Sequence, residues 1–164
     1  IAQNLKTLIA AAEIIKDVKF NIVGYGTEYN KLKDLVLSKK LKNIDFYENA
    51  DWEAVLYFYQ ESDVLYAQLQ ESFSGAMPSK LYQYLNAGRF VIYGGGSQAK
   101  KTLSNFSKNI VITPDNVEKL VNAIKKSRNI CSKELNFSDN LEIIKHNYIR
   151  EDNVRKVFQE WSKI

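Results

Sequence analysis

Two short segments of this 164-residue chain combine residue types suited to binding a phosphate. The first is Gly24-Tyr25-Gly26, where small residues let backbone amides approach an anion. A tight turn between a strand and a helix explains the two glycines equally well. A dinucleotide fingerprint needs a third glycine three positions after the second, and Tyr29 stands there. The segment disfavours a nicotinamide or flavin site and leaves phosphate binding open.

The second segment is a polar stretch that runs from Gln70 into the start of a predicted helix at residues 78–87. A helix start offers unpaired N–H groups and the positive end of the helix dipole. Ser79 adds a hydroxyl and Lys80 a cation, so the combination suits a diphosphate. The competing interpretation, an ordinary helix start with a solvated lysine, is the one that the residues alone favour.

Metal binding and nucleophilic chemistry find little support. With one cysteine, Cys131, and one histidine, His146, the chain alone builds neither a Cys/His zinc site nor an internal disulfide, and a reducing compartment is expected. We interpret His146 as an exposed or locally bonded residue. The acidic residues Glu48, Asp51 and Glu53 are read as capping and surface groups, since nothing fixes their convergence on a metal. No cofactor is predicted.

Charge and hydropathy limit the partners. Lys and Arg number 23 against 19 Asp and Glu, a net charge of +4 that is spread along the chain, so nucleic acid binding is not favoured. No apolar run reaches the roughly 18 residues that span a bilayer, and the start carries no export signal, which predicts a cytoplasmic location. Lys39-Lys40 and Lys100-Lys101 fit either peripheral contact with anionic lipid or solvated helix ends.

Hydrophobic periodicity predicts the elements that position these segments. Helical spacing alternates with short apolar runs, and aromatic residues such as Trp52, Tyr84 and Trp161 fall at helical positions where packing is expected. Parallel strands need crossover helices, so the pattern predicts an α/β domain with a doubly wound parallel sheet and helices on both faces. Ligands bind such domains at the carboxyl ends of the strands. The predicted strands are residues 18–23, 44–47, 64–67, 90–93 and 110–112.

The order and spacing of several motifs resemble a known family. They are Gly24-x-Gly26, Ser62-Asp63-Val64, Glu71-Ser72-Phe73, residues 78–92 with Pro78-Ser79-Lys80, and Thr113-Pro114-Asp115-Asn116. Together they are similar to the C-terminal domain of glycosyltransferase family 4, and the Pro-Ser-Lys variant resembles bacterial enzymes of polysaccharide assembly. The resemblance implies half of a two-Rossmann-domain GT-B fold. It implies that residues 1–164 are a single domain lacking its first, central strand and the N-terminal acceptor domain.

The resemblance also assigns binding residues. It places Gly24 and Gly26 near the diphosphate or the transferred sugar, Ser79 and Lys80 at the phosphate-facing helix start, and Glu71 near the sugar hydroxyls. Tyr47 and Glu48 would border the nucleobase. The donor is then a nucleoside-diphosphate sugar, expected to be a UDP-sugar, and a hexosyl group passes to a saccharide or lipid-linked acceptor held by the N-terminal domain. The isolated chain is expected to transfer no sugar.

One departure from the family pattern leaves the activity open. The family has two glutamates here, and the second, which binds the ribose hydroxyls, corresponds to Gln83, five residues before Gly88 (88 − 83). Gly75 stands at the first position. Glutamine still forms hydrogen bonds but lacks the charge of a carboxylate. The alternatives are therefore a nucleotide-sugar-binding or interaction module without catalysis, and a sugar-nucleotide 2-epimerase, which Pro78-Ser79-Lys80 does not support.

Overall fold

The parallel α/β architecture is confirmed by the structure, a computed structural model that describes residues 3–73, 75–76, 78–131 and 138–147. Five strands alternate with seven α-helices in this part of the chain. The strands are β1 Phe20–Val23, β2 Ile44–Tyr47, β3 Val64–Gln68, β4 Phe90–Gly94 and β5 Asn109–Ile112. The helices are α1 Lys6–Ile14, α2 Tyr29–Ser38, α3 Trp52–Glu61, α4 Ser79–Asn86, α5 Ser97–Leu103, α6 Val117–Cys131 and α7 Ser138–Asn147.

All strand pairs are parallel, but the described strands form two sheets rather than one. β1 pairs with β2, with Phe20 opposite Ile44, and β3, β4 and β5 form a second sheet in that order. In the second sheet Val64 lies opposite Phe90. The carboxyl ends of neighbouring strands therefore meet at one edge in each sheet, as the sequence pattern predicts.

Two clusters of buried side chains hold the helices against the strands. The first joins α1 and α6 to β1, β2, β4 and β5, with Ile9 and Leu120 fully buried. The second joins α4 and α5 to β3 and β4, around Leu81, Leu85 and Tyr93. β4 contributes to both clusters because alternate residues of a strand face opposite sides of its sheet. The helices therefore cover both faces, as expected for a doubly wound domain.

Helix α3 is the exception to this packing, because none of its residues is buried. Its start is well defined, since the Asp51 carboxylate accepts a hydrogen bond from the Ala54 N–H at 2.8 Å. This contact confirms Asp51 as the predicted N-cap. The helix end contacts α4, where the rings of Tyr59 and Tyr84 meet edge to face with centroids 5.3 Å apart.

Helix α4 has the bounds that matter for the site. Pro78 is the N-cap with ψ 135°, and Ser79 is the first helical residue, so the helix begins one residue later than the predicted start at Pro78. Gly88 ends the helix region with a φ of 68°, a left-handed conformation that favours glycine.

The predicted helical segment containing Trp161 lies outside the described residues. No described helix has the length and apolar composition needed to cross a membrane.

Candidate functional site

The Gly24-Tyr25-Gly26 segment lies at the carboxyl end of β1, in the predicted turn from strand to helix. The Gly24 N–H donates to the Tyr47 carbonyl at 2.8 Å, which ties the end of β1 to the end of β2. Gly24 has a φ of 118°, which side chains rarely tolerate. The conformation of Gly24 is therefore explained by the turn itself.

Gly26 is different, because the fold gives no reason for its missing side chain. Its φ is not in the left-handed region, and a Cβ atom placed there would meet nothing within 4 Å. Gly26 is exposed and its carbonyl accepts from the Tyr29 N–H at 3.0 Å, at the start of α2. The backbone at Gly26 is thus open to close approach from outside the chain.

The start of α4 carries the two predicted phosphate ligands on its exposed surface. Ser79 and Lys80 are both exposed, and the preceding Pro78 supplies no side-chain cap to the first N–H groups of the helix. Among the described residues Lys80 forms no ion pair. Among the described residues, therefore, no carboxylate pairs with the Lys80 ammonium, and no side chain caps the positive end of the α4 dipole.

One cavity brings three of the predicted site residues together. It has a volume of about 990 Å³, and Gly24, Lys80 and Gln83 contribute to its wall. The structure does not place Gly26, Ser79 or Glu71 in that wall. We call the part of the cavity wall to which Gly24, Lys80 and Gln83 contribute the mouth. Gly24 follows the carboxyl end of β1, and Lys80 lies in the first turn of α4, the helix after β3. Both positions are at the carboxyl edge of the strands, where the sequence predicts ligand binding.

Gln83 already has a partner within the chain. Its Oε1 accepts a hydrogen bond from the Tyr59 hydroxyl at 3.4 Å, a long contact between α4 and α3. Burial raises the pKa of Tyr59, and burial followed by the neighbouring Tyr59 raises the pKa of Tyr84 to about 12. Both phenols are therefore neutral near pH 7. Gln83 is exposed, so its amide N–H groups remain accessible to a ligand.

The remaining predicted residues lie farther along the same edge. Glu71 opens a single 3₁₀ turn, Glu71–Phe73, and its side chain is exposed. Tyr47 ends β2 with its ring packed on Phe58 at 4.5 Å between centroids, and Glu48 follows in an exposed position. Neither Glu71 nor Glu48 belongs to a group of acidic, histidine or cysteine residues able to hold a metal among the described residues.

A buried hydrogen-bond network centred on Gln68 was missed by sequence reasoning. Gln68 is 1% exposed, and its Oε1 accepts from the Tyr66 hydroxyl at 2.7 Å and from the Asp115 N–H at 3.2 Å. Its Nε2 donates to the Asn4 carbonyl at 3.0 Å and to Asp115 Oδ1 at 2.9 Å. Its Nε2 also lies 3.5 Å from Thr7 Oγ1. The network fixes the carboxyl end of β3 to the loop after β5 and to the approach to α1.

The network also explains two features of its members. Burial, and secondly the Asp115 carboxylate, raise the pKa of Tyr66 far above its usual value, so the hydroxyl remains a donor. Two polar residues, Asp115 and Asn116, directly precede α6. Asn116 is the cap, with Oδ1 accepting from the Lys119 N–H at 2.8 Å, while Asp115 turns toward Gln68 with a φ of 57°. The sequence signal that could have indicated a role for Gln68 is its position, a polar residue directly after the apolar run of residues 64–67.

The packing prediction for the aromatic residues is wrong for one of them. Trp52 is 57% exposed and lines the cavity, because α3 buries none of its residues. Tyr84 is half-buried and packs against the second core cluster, as predicted. Tyr25, between the two glycines, is 68% exposed. Trp52 and Tyr25 are therefore additional candidates for contact with a ligand.

Comparison with solved structures identifies the class of fold to which this chain belongs. The chain superposes on a sucrose-phosphate synthase from Thermosynechococcus elongatus with a TM-score of 0.80 at 17% identity, covering 99% of this chain and 42% of that one. For TarM the TM-score is 0.75 at 18% identity, with 96% and 32% covered. For the pneumococcal O-GlcNAc transferase GtfA, solved with UDP and GlcNAc, it is 0.60 at 16% identity, with 98% and 32% covered. These likenesses show a Rossmann-like GT-B fold, and the chain spans less than half of each protein.

The family follows from the sequence itself. Residues 1–148 match the family described as Glycosyl transferases group 1, and the chain belongs to that family. No curated protein matches the chain. The resemblance stated from the motifs is thus confirmed at the level of a group 1 glycosyltransferase domain.

Proposed function

We propose that this chain is the donor-binding half of a family 4 glycosyltransferase of the Pro-Ser-Lys type, which transfers a hexosyl group from a UDP-sugar. The observation that supports the proposal is that Gly24, Lys80 and Gln83 all line one cavity. The acceptor, a saccharide or a lipid-linked saccharide in bacterial polysaccharide assembly, would be held by a separate N-terminal domain. GtfA, which has the same fold, was solved with UDP and GlcNAc.

Lys80 and Gln83 of the mouth, together with the neighbouring Ser79 and Gly26, have separate roles in this proposal. In the reaction, the bond between the sugar's anomeric carbon and the diphosphate oxygen breaks, a bond to the oxygen of an acceptor hydroxyl forms, and the hydroxyl proton passes to the leaving diphosphate or to water. The leaving diphosphate gains negative charge, which the Lys80 ammonium and the start of α4 stabilise. Ser79 adds a hydroxyl, the open backbone at Gly26 admits the phosphate or sugar, and Gln83 binds the ribose.

Two further contacts complete the proposed donor site. Glu71, exposed in the turn after β3, would accept hydrogen bonds from hydroxyls of the transferred sugar. Tyr47 and Glu48 would border the base, with Tyr47 acting through its backbone. Its carbonyl already accepts from the Gly24 N–H and has a second lone pair for a ligand.

Calorimetric titration with UDP, GDP and UDP-sugars tests the proposal, with Lys80→Ala as the first variant. A charge-assisted hydrogen bond contributes about 1.5–3 kcal/mol. Because Lys80 is exposed, we expect the lower value, a loss of UDP affinity of about tenfold. Lys100→Ala, which removes an equally exposed lysine from α5, should change affinity little. Equal losses for the two variants would show that only net charge matters.

Gln83 separates the proposed enzyme from a second candidate, a binding module without catalysis. Its contact with Tyr59 and the absence of a carboxylate at this position favour that second function. Gln83→Ala should weaken UDP binding by about 0.5–1.5 kcal/mol, and Gln83→Glu should tighten it modestly. Gln60→Ala, on the exposed side of α3, is the matched control. If all three variants bind as the parent does, Gln83 does not contact the ribose.

Turnover decides between the two functions once binding is established. The full-length protein should release UDP from a UDP-sugar when a saccharide acceptor is present, whereas this chain alone should not. Binding without UDP release in the full-length protein would establish the module and exclude the transferase.

A further inference from the structure

Tyr59 lies beside the mouth, although the sequence does not single it out as a binding residue. It is half-buried in the last turn of α3 and contributes to the wall of the same cavity as Lys80 and Gln83. Its hydroxyl donates a hydrogen bond to Gln83 Oε1 at 3.4 Å. Tyr59 is therefore placed to act on a ligand through Gln83.

Contacts with α4 hold the Tyr59 ring in place. The ring meets that of Tyr84 edge to face, with centroids 5.3 Å apart and an angle of 82° between the two planes. Tyr84 is half-buried and packs against the second core cluster. Since no residue of α3 is buried, the contacts of Tyr59 with Tyr84 and Gln83 help to fix the end of α3 on α4.

The residues that meet at this point share one face of α4. Lys80, Gln83 and Tyr84 all line the cavity, and positions three and four apart on a helix have Cβ atoms about 5–6 Å from each other. In a nucleoside diphosphate the ribose is joined directly to the first phosphate. A phosphate held at Lys80 therefore leaves the ribose within reach of Gln83.

The hydrogen bond from Tyr59 determines which end of the Gln83 amide is left for a ligand. The amide has an acceptor, Oε1, and a donor group, Nε2, on different sides of Cδ. Burial raises the pKa of Tyr59, so its hydroxyl keeps the proton that it donates to Oε1. Nε2 is turned away from Tyr59 and donates to no other described residue. The free end of the amide is therefore its donor end.

We propose that Tyr59 is a positioning residue for donor binding, which holds the Gln83 side chain so that Nε2 faces the ribose hydroxyls. The inference rests on the proposed binding of a nucleoside diphosphate at the mouth, and it applies whether or not the sugar is transferred. The oxygen of a ribose hydroxyl then accepts a hydrogen bond from Nε2. Lys80, one turn earlier on α4, binds the phosphate.

The benefit of Tyr59 is that Gln83 is ordered before the ligand binds. Gln83 is exposed, and immobilising a long, flexible side chain on binding lowers affinity by about two- to tenfold. The hydrogen bond with Tyr59 removes part of this cost in advance. Because the bond is long in the free protein, we expect an effect at the low end of that range, about threefold.

Calorimetric titration of the full-length protein with UDP tests the proposal. Tyr59→Phe removes the hydroxyl but keeps the ring against Tyr84, and it should weaken UDP binding about threefold. Tyr57→Phe is the matched control, because it removes an exposed hydroxyl from the same helix outside the cavity wall. It should leave UDP binding unchanged. Both variants should keep the far-ultraviolet circular dichroism of the parent.

Two comparisons separate positioning from a structural role of Tyr59. In the Gln83→Ala background, Tyr59→Phe should have no further effect, because Tyr59 acts only through Gln83. With dideoxy-UDP, which lacks both ribose hydroxyls, Tyr59→Phe should likewise change nothing. A structural role in α3 would instead weaken binding of both ligands and in both backgrounds. Such a uniform loss overturns the proposal, and so does a Tyr59→Phe variant that binds UDP as the parent does.

Lys80→Ala distinguishes a failure of this inference from a failure of the proposed function. If Lys80→Ala weakens UDP binding and Tyr59→Phe does not, the nucleotide binds at the mouth and Tyr59 has no part in binding it. If the parent protein binds no nucleoside diphosphate, the proposed function and the role of Tyr59 are both wrong.

Discussion

Replacing Gln68 by leucine should destabilise the domain by about 2 kcal/mol although the side-chain volume is nearly preserved. Leucine removes the amide that joins β3, the loop after β5 and the approach to α1. The Tyr66 hydroxyl and the Asn4 carbonyl, both half-buried, lose partners at 2.7 and 3.0 Å. Each such loss costs about 1 kcal/mol. The bonds to Asp115 add little, because that residue is exposed and water can replace them.

Urea unfolding followed by far-ultraviolet circular dichroism measures this loss. With an m-value of about 2 kcal/mol/M, the midpoint of the Gln68→Leu variant should fall by about 1 M while m stays constant. Gln60→Leu, an exposed change on α3, should alter stability by less than about 0.5 kcal/mol. A midpoint for Gln68→Leu within error of the parent would refute the assignment of Gln68 as a structural centre.

The stability of the Gln68→Glu variant should depend on pH, whereas the stability loss from a simple packing defect should not. The new carboxyl would be buried beside Asp115, and both burial and the like charge raise its pKa in the folded state above the unfolded value. A raised folded pKa stabilises the protein at low pH, and this stabilisation is lost as the pH rises through it. The stability deficit of the variant relative to the parent should therefore shrink between pH 7 and pH 5. A deficit independent of pH would contradict the network.

Two further predictions concern packing and ionisation. A Cβ atom on Gly95 would lie 2.1 Å from Cε1 of the buried Tyr93 ring. Gly95→Ala should therefore lower the free energy of unfolding, measured by thermal unfolding, by about 1–3 kcal/mol. Gly26→Ala is the control, because a Cβ atom there meets nothing within 4 Å, and it should lower the free energy of unfolding by less than about 0.5 kcal/mol. Equal effects of the two alanines would contradict the packing. Burial raises the pKa of Tyr84 to about 12, so its contribution to stability is present up to about pH 10 and is lost as the pH rises toward 12. Burial raises the pKa of Tyr93 to about 12 as well, so absorbance at 295 nm should show one phenol fewer titrating near pH 12 in Tyr84→Phe than in the parent.

The fold could be predicted from the sequence because its signals are local. The alternation of helical and strand periods needs only neighbouring residues, and so does the cap at Asp51, which reaches three residues along the chain to Ala54. Once the strands are known to be parallel, the candidate residues are expected at the carboxyl ends of the strands, where ligands bind such sheets. The separation into two sheets has no local signal, because it depends on which strand edges meet in space.

What escaped prediction depends on contacts between distant parts of the chain. Gln68 meets Asp115 and Asn4, 47 and 64 residues away in sequence, and glutamine alone is as common in exposed loops. The exposure of Trp52 was missed for the same reason. Its helical position indicates an apolar face, but whether that face is buried depends on what lies beneath α3.

The hydrogen bonds at the carboxyl edge separate the groups that maintain the fold from those free to bind a donor. Gln68 and Asp115 are engaged with each other and with Asn4, so a ligand could use them only by breaking bonds already made. Lys80 has no ion-pair partner among the described residues, and a phosphate there displaces only water. Since breaking an internal bond costs more than displacing exposed water, a diphosphate should bind at Lys80 and the start of α4. The Gln68 network meanwhile holds the end of β3 against the loop after β5.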